Sequence, residues 1–551
     1  MKLYVQVLAG LMALLLPGCA GRNPAAHGQA AAPELKRLGN YGLKITTTSA
    51  AAQRAFNRGL TLAYSFGHYA AEQEFRRALA ADPNCAMAYW GIALVNGPHI
   101  NFPMVPPEHA TNAWAALTRA RAQAAGTTPF EQALIEALSH RYADPQPEDR
   151  SPLDQAYANE MRKVWQRFPQ NPDAGALFAE AAMDLHPWDL WQGDAPQPWT
   201  PEIRATLERV LELDPAHPGA NHFYIHVMEA SPEPQRALAA ARRLGRLVPG
   251  ASHMVHMPSH IYARVGEWQA AAESNRAAMD ADALYRRSYP RPGFYSMYMA
   301  HNAHFLAFTA MMRGRSTEAI QKGREMVADI PDEFLKEFGP IADGYMIFTS
   351  EALMRFGKWA EILAEPEPRG SLPLSKALWH FTRAVAYTGL DRTEEGRAEQ
   401  AKFKAASERV PADATFGNNP AAEILKIAAL VLAGELAAQT GDLALAARNL
   451  REAAQHEDGL RYDEPPDWVQ PVRHTLGAVL LRAGDAAGAE AVYREDLKRF
   501  PENGWSLMGL RDALRREGKQ AEAAAVDLRF RNVWAQADVK PTATCYCQAG
   551  R

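Results

Sequence analysis

Residues 469–501 read VQPVRHTLGAVLLRAGDAAGAEAVYREDLKRFP. Counting Gln470 as position 1, Gly477 falls at 8, Gly484 at 15, Ala489 at 20, Tyr493 at 24 and Pro501 at 32. The apolar residues between these marks have helical spacing. Small residues at 8 and 20 let two helices approach closely, and large residues fill the gaps around them. A proline at 32 stops the second helix, because it has no N–H to donate and its ring clashes with the preceding turn.

The same frame recurs along the chain. Starting at 52, Gly59, Leu62, Ala71, Phe75, Ala78 and Pro83 fall in register. Starting at 218, Ala237 is position 20 and Pro249 is 32. Starting at 252, Tyr262 is 11, Gly266 is 15 and Ala271 is 20. Starting at 300, Gly314, Ala319 and Pro331 fall at 15, 20 and 32. A further unit begins near 504 (Leu507, Leu510, Gly518, Ala523), and weaker ones lie near 172, 343 and 375. This recurrence resembles the tetratricopeptide repeat (TPR) family over most of 50–535. The resemblance implies an all-α fold, a right-handed superhelical solenoid of antiparallel helix pairs. It specifies fold and leaves function open, because such scaffolds serve many roles.

The 551 residues exceed one compact core, which a repeat array accounts for. Net charge is −4, with 59 basic and 63 acidic residues, so nucleic acid is not expected as a partner. At the N-terminus, Lys2 precedes an apolar run, Leu3 to Leu16, that is short for a membrane span. Leu16-Pro17-Gly18-Cys19 resembles a bacterial lipobox, although Pro17 is unusual in one. The resemblance implies cleavage before Cys19, a lipid on its thiol and a membrane anchor. Ala20 fits the outer-membrane sorting pattern, placing the protein on the periplasmic side of the cell envelope. A simple secretory signal is the other reading. The domain scheme is then signal 1–18, flexible tether 19–48, an N-terminal array 49–331, a C-terminal array 332–535 and a tail 536–551. The tail carries Cys545 and Cys547, a possible disulfide or soft-metal pair. Cys85 reads as a buried small hydrophobe.

Three interruptions break the repeats: HPWDLWQGDAPQPWT at 186–200, RRSYPRPGFYSMYM at 286–299 and HEDGLRYDEPPDW at 456–468. They read as packed connections or as a rim over a binding face.

Residues 253–260, HMVHMPSH, are the densest histidine run. In TPR proteins, positions 2, 5, 9, 12 and 13 of the first helix face the concave surface. The unit at 218 places His222, His226 and Glu229 at 5, 9 and 12. The unit at 252 places His253, His256 and His260 at 2, 5 and 9. The unit at 300 places His301 and His304 at 2 and 5. With 17 histidines in 551 residues, the twelve positions 2, 5, 9 and 12 of three units should hold fewer than one. They hold seven.

Imidazoles at i, i+3 and i, i+4 converge on one ion, and imidazole suits copper, iron, nickel and zinc. Seven histidines with Glu229 exceed one tetrahedral ion, so two ions, or one ion with spare catalytic groups, are expected. Copper or iron is favoured and zinc is possible. Glu229 reads as ligand, bridging carboxylate or base. Glu180, Asp184 and His186 are candidates to orient ligands, or they line a solvated acidic groove. Met254 and Met257 read as packing, with a thioether role toward copper as the alternative. Pro258 should kink its helix and re-aim His256 and His260. Tyr262, Tyr295, Tyr298 and Trp188 are candidates for a substrate pocket. His68, His140, His380, His456 and His474 read as ordinary hydrogen-bonded residues.

The functional reading is a lipid-anchored periplasmic TPR protein with a multi-histidine metal site, acting as a metal-dependent oxidase or oxygenase first and a metal hydrolase second. A non-enzymatic scaffold that takes a peptide or protein in its groove, and a metal carrier or sensor, are the alternatives.

Overall fold

The computed structural model describes residues 36–290 and 293–548. The signal segment and the lipidation site at Cys19 lie outside the described residues. The fold is all-α and built of TPR-like helix pairs. Ala50–Ala63 packs on His68–Ala81, Val472–Arg482 on Ala486–Arg499, and Gly504–Arg516 on Gln520–Val533. Two-residue antiparallel ladders, Trp191–Gln192 with Ala195–Pro196 and Thr415–Phe416 with Asn419–Pro420, sit in loops. Among the described residues no helix is long and apolar enough to cross a membrane.

The glycines at position 8 explain the pairing. A Cβ added to Gly59 would lie 2.6 Å from the Phe75 ring, and one on Gly477 would overlap the Tyr493 ring. Phe75 and Tyr493 are the large residues at position 24 of the same units, both fully buried. The ring therefore occupies the space the missing side chain leaves, and the two helices close on it.

The described residues divide into two compact units, one ending at Asn302 and one beginning at Ala303. The division falls inside helix Ser296–Met312 rather than at 331/332. Local bonds explain the position. Asn302 Nδ2 donates to Ser252 Oγ at 3.2 Å and to Asp282 Oδ2 at 2.7 Å in the first unit. In the second unit, the Met311 carbonyl accepts from Trp505 Nε1 at 2.7 Å.

The stretch expected as a tether, 19–48, is packed in its described part. Residues 38–46 are packed against the first unit: Leu38 and Ile45 are buried, and Tyr41 donates to Asp173 Oδ1 at 2.7 Å. The Thr46 hydroxyl donates to Glu131 at 2.6 Å. Apolar and aromatic anchors here outweigh the entropy of a free strap. The C-terminal segment is docked on the second unit. Asp538 accepts from the Ser316 and Thr317 amides at 2.6 and 3.0 Å, capping helix Ser316–Asp329. Cys545 and Cys547 are joined as a disulfide and buried.

Candidate metal centre

Four helical segments carry six of the histidines. His222 and His226 lie one turn apart on Pro218–Glu229, capped by the His217 ring, whose Nδ1 accepts from the Ala220 amide at 3.0 Å. The first helix of the unit at 252, which Pro258 was expected to kink, is divided into Ser252–His256 and Pro258–Arg264. The break is at Pro258, which cannot supply the N–H that continuity requires. His253 and His256 precede it and His260 follows it, while His301 comes from Ser296–Met312.

Donor atoms of His222, His226 and His253 lie within 4.8 Å of one another, as do those of His256, His260 and His301. In the first triad the Nε2 atoms of His222 and His226 are 3.0 Å apart. In the second, the Nε2 atoms of His256 and His260 are 2.8 Å apart.

The opposite ring atom of each of these four residues faces an oxygen. His222 Nδ1 is 2.7 Å from the Tyr64 carbonyl. His226 Nδ1 is 2.9 Å from Glu229 Oε1, and His260 Nδ1 is 2.7 Å from Glu229 Oε2. His256 Nδ1 is 2.7 Å from Asn275 Oδ1. The Asn275 amide orientation is fixed, because its Nδ2 donates to the Ala271 carbonyl at 2.9 Å. Where a ring is neutral, the oxygen beside Nδ1 favours the proton there and leaves a lone pair on Nε2. Two lone pairs then face each other in each triad.

That arrangement is repulsive unless a cation lies between them. A proton on one ring of each pair, giving an Nε2–H···Nε2 hydrogen bond, relieves that repulsion as a metal ion does, but His222 and His256 are disfavoured as its carriers. Burial, then His226, pushes His222 well below its ordinary range. Burial, then His301 and His260, does the same to His256. A metal ion fits the spacing. Metal–nitrogen bonds of about 2.0–2.1 Å meeting at right to tetrahedral angles place two donors about 2.8–3.4 Å apart, the 2.8 Å pair at the right-angle limit. His253 adds a second sign: it is buried, and neither of its ring nitrogens has a hydrogen-bond partner. Such a residue is costly without a ligand.

Glu229 is buried between the two triads. Burial alone would push its carboxyl up, yet His260 and His226 beside it hold it down at about 2. It is therefore a carboxylate, and both its oxygens face Nδ1 atoms.

The histidines were expected on an open concave face. They are buried instead, with His222 and His256 fully inaccessible, and His301 is only half-buried. The interruptions supply the cover. Tyr298, from 286–299, lies with its ring 4.6 Å from His253. Trp188, from 186–200, meets His226 edge-on at 5.6 Å. Phe66 packs 4.7 Å from His222, 5.7 Å from His253 and 5.9 Å from His226. Phe66 and Trp188 hold left-handed backbone, φ 56° and 58°. A bulky residue there costs of order 1–3 kcal/mol, and such strain gathers at functional sites. The third interruption, 456–468, belongs to the second unit.

Other expectations resolve differently. His304 belongs to the second unit and packs edge-on against Phe348 at 4.4 Å and Tyr345 at 5.7 Å. Asp184 is taken by Arg141 in a buried 2.6 Å pair, and His186 stacks on Trp199 at 3.5 Å. Burial, then Asp184, pushes the Glu180 carboxyl well above its usual range. Tyr262 lines a separate crevice with Arg242, Arg246 and Glu267. His140, His380, His456 and His474 lie 3.6, 2.7, 3.0 and 3.0 Å from carboxylates, and half-buried His68 meets the His99 ring edge-on at 4.6 Å. Sequence reasoning missed three contributors: the Tyr64 carbonyl, Asn275 and His99, which stacks on Phe66 at 4.5 Å. Each comes from an element far from the ligands it supports or from the second helix of a pair, so no spacing rule marks it.

From Tyr298 a row of phenol rings leads to the surface. Tyr295 follows at 5.3 Å, Tyr285 at 4.3 Å, Tyr289 at 4.9 Å and Tyr69 at 5.5 Å. The first four are buried and Tyr69 is 56% exposed.

No family model matches the chain, and no curated protein sequence is similar to it. Among solved structures, similar ones include a human IFIT1 dimer with PPP-AAAA, 12% identical, covering 87% of this chain and 90% of that one at a TM-score of 0.32. The same human protein with m7Gppp-AAAA is 12% identical at 0.33, covering 89% and 92%. The APC/C hetero-tetramer Cut9–Hcn1 is 12% identical at 0.30, covering 88% and 74%.

Proposed function

We propose that the first unit holds a binuclear transition-metal centre and that the protein is a metal-dependent oxidoreductase. His222, His226 and His253 would hold one ion, and His256, His260 and His301 the other. Glu229 would orient His226 and His260 together, since both its oxygens are engaged by their Nδ1 atoms. The observation that carries this reading is the pair of buried Nε2-to-Nε2 approaches at 3.0 and 2.8 Å. An all-imidazole donor set, with the carboxylate drawn away from the ions, favours copper over iron. Copper also stands highest in divalent affinity for nitrogen ligands.

The tyrosine row supports redox chemistry over metal-assisted hydrolysis. It links the His253 ring to exposed Tyr69 in steps of 4.3–5.5 Å, a path for single electrons that hydrolysis does not need. A peptide-binding scaffold would use open histidines, whereas these are buried under Tyr298, Trp188 and Phe66. The anchor at Cys19 and a place on the periplasmic side of the envelope complete the proposal.

The test is metal content after reloading purified mature protein with copper, iron and zinc in turn. Two ions per chain, lost in His222→Ala/His256→Ala, support the centre, and substoichiometric metal in the unsubstituted protein refutes it. Oxygen uptake by the loaded protein separates an oxidase from a carrier.

A further inference from the structure

The second unit carries a different donor set, which the centre above does not use. Helix Ala421–Gln439 presents Glu435, which is buried. The C-terminal segment brings Cys545 and Cys547 against it: one carboxylate oxygen and the two sulfurs lie within 4.8 Å of one another. Glu435 Oε1 is 4.0 Å from Cys545 Sγ. Gln470 is 4.0 Å from the same sulfur through Nε2, and its Oε1 is buried with no hydrogen-bond partner. Glu435, Gln470, Cys545, Cys547 and Met354 line one void of about 20 Å³. A void needs about 10–15 Å³ to admit one water-sized particle, so this one has room for a single ion.

The segment is held there by its own bonds. Thr544 Oγ1 donates to the His474 carbonyl at 2.6 Å, and Gln548 Nε2 donates to Glu435 Oε2 at 2.8 Å. Arg482 donates to Gln548 Oε1. These contacts bracket the cysteine pair on both sides. The sulfurs therefore stay beside Glu435 whether or not they are bonded to each other.

We propose that this cluster is a redox-gated site for one soft divalent d10 cation of the zinc or cadmium type. Oxidised, the Cys545–Cys547 bond ties up both sulfur donors. An external dithiol opens it: the S–S bond breaks, two electrons and two protons come from the reductant, and the reductant leaves as its own disulfide. The cation then displaces both thiol protons. Two thiolates and the Glu435 carboxylate balance its charge with one negative charge over, and Gln470, whose Nε2 now faces Cys545 Sγ, would turn its amide oxygen to the ion as the fourth donor. Two sulfurs and two oxygens around one ion is a set that suits such a cation. Because protons leave on binding, affinity rises with pH.

The experiment uses the full chain, reduced and freed of reductant, titrated with cadmium while the ultraviolet thiolate-to-cadmium band is followed. Imidazole gives no such band, so the histidine centre does not contribute. Expected are saturation at one cadmium per chain in the reduced protein, two protons released per ion and no band in the oxidised protein. Cys547→Ser should abolish the saturable band, and Glu435→Gln, nearly isosteric, should weaken binding about tenfold or more. The proposal is overturned if the reduced protein shows no band. It is equally overturned if Glu435→Gln titrates like the unsubstituted chain, since the thiols would then be an unassisted pair.

Discussion

One carboxylate oxygen of Glu229 lies 2.7 Å from Nδ1 of His260, a residue on a different helix segment. The other oxygen is held by His226, so a single buried side chain sets the ring orientation in both triads. Removing such a partner costs about 10–100-fold in metal affinity. Glu229→Gln should therefore weaken both ions by that order while leaving the helix content unchanged. Competition titration against a chromophoric chelator measures it, and an unchanged affinity would assign Glu229 no orienting role.

The triads should be separable. His253→Ala should lose one ion and leave the second, and His301→Ala should do the reverse. His304→Ala should keep both, because His304 packs on Phe348 and Tyr345. Elemental analysis of the three variants reads this directly.

Bound metal should also stabilise the fold. An ion held only by the native state, at a free concentration of 100 times its Kd, adds about 2.7 kcal/mol. Thermal unfolding with and without a chelator should show a higher Tm for the loaded protein, and the gain should vanish in His222→Ala/His256→Ala.

Electrons are expected to enter along the tyrosine row. Tyr285→Phe removes the phenol hydroxyl while keeping the ring, so packing survives and the redox step does not. Reduction of the loaded centre by an external one-electron donor, followed by stopped flow, should slow at least tenfold in Tyr285→Phe. Metal content should be unchanged. Equal rates would leave the row a packing feature only.

Stability should fall with rising pH through a group outside the centre. Burial pushes the Glu351 carboxyl up to about 8, from an ordinary 4.5. The folded state thus holds a proton that the unfolded chain releases near 4.5. The contribution is full below pH 4.5 and is lost progressively toward pH 8, at up to about 1.4 kcal/mol per pH unit. Glu351→Gln should flatten the stability profile across that window, as read by denaturant unfolding at several pH values.

The repeat frame was readable because it is a matter of volume. Gly477 with Tyr493 and Gly59 with Phe75 are small–large pairs at fixed spacing, and the structure packs each pair ring against backbone. The pairs His222/His226 and His256/His260 were readable for a similar reason, since helical spacing puts i and i+4 on one face, whereas the joining of His253 to the first pair and His301 to the second was not. His304 shares that spacing yet packs on Phe348 and Tyr345, beyond the division between Asn302 and Ala303. No local periodicity records where such a division falls. Asp184 was also misjudged from position alone, as its partner Arg141 lies 43 residues away.

By itself the sequence determined the helix pairs, the break at Pro258 and the ring positions that share a face. These depend on volume, on a missing N–H and on a fixed 3.6-residue period, all of which act locally. Tertiary structure decided the rest. It set which ring nitrogen carries the proton, through the Tyr64 carbonyl, Glu229 and Asn275. It buried the cluster under Phe66, Trp188 and Tyr298, and it brought Cys545 and Cys547 to Glu435. Those outcomes rest on hydrogen bonds and desolvation between residues distant in the chain, which exist only once the helices have packed.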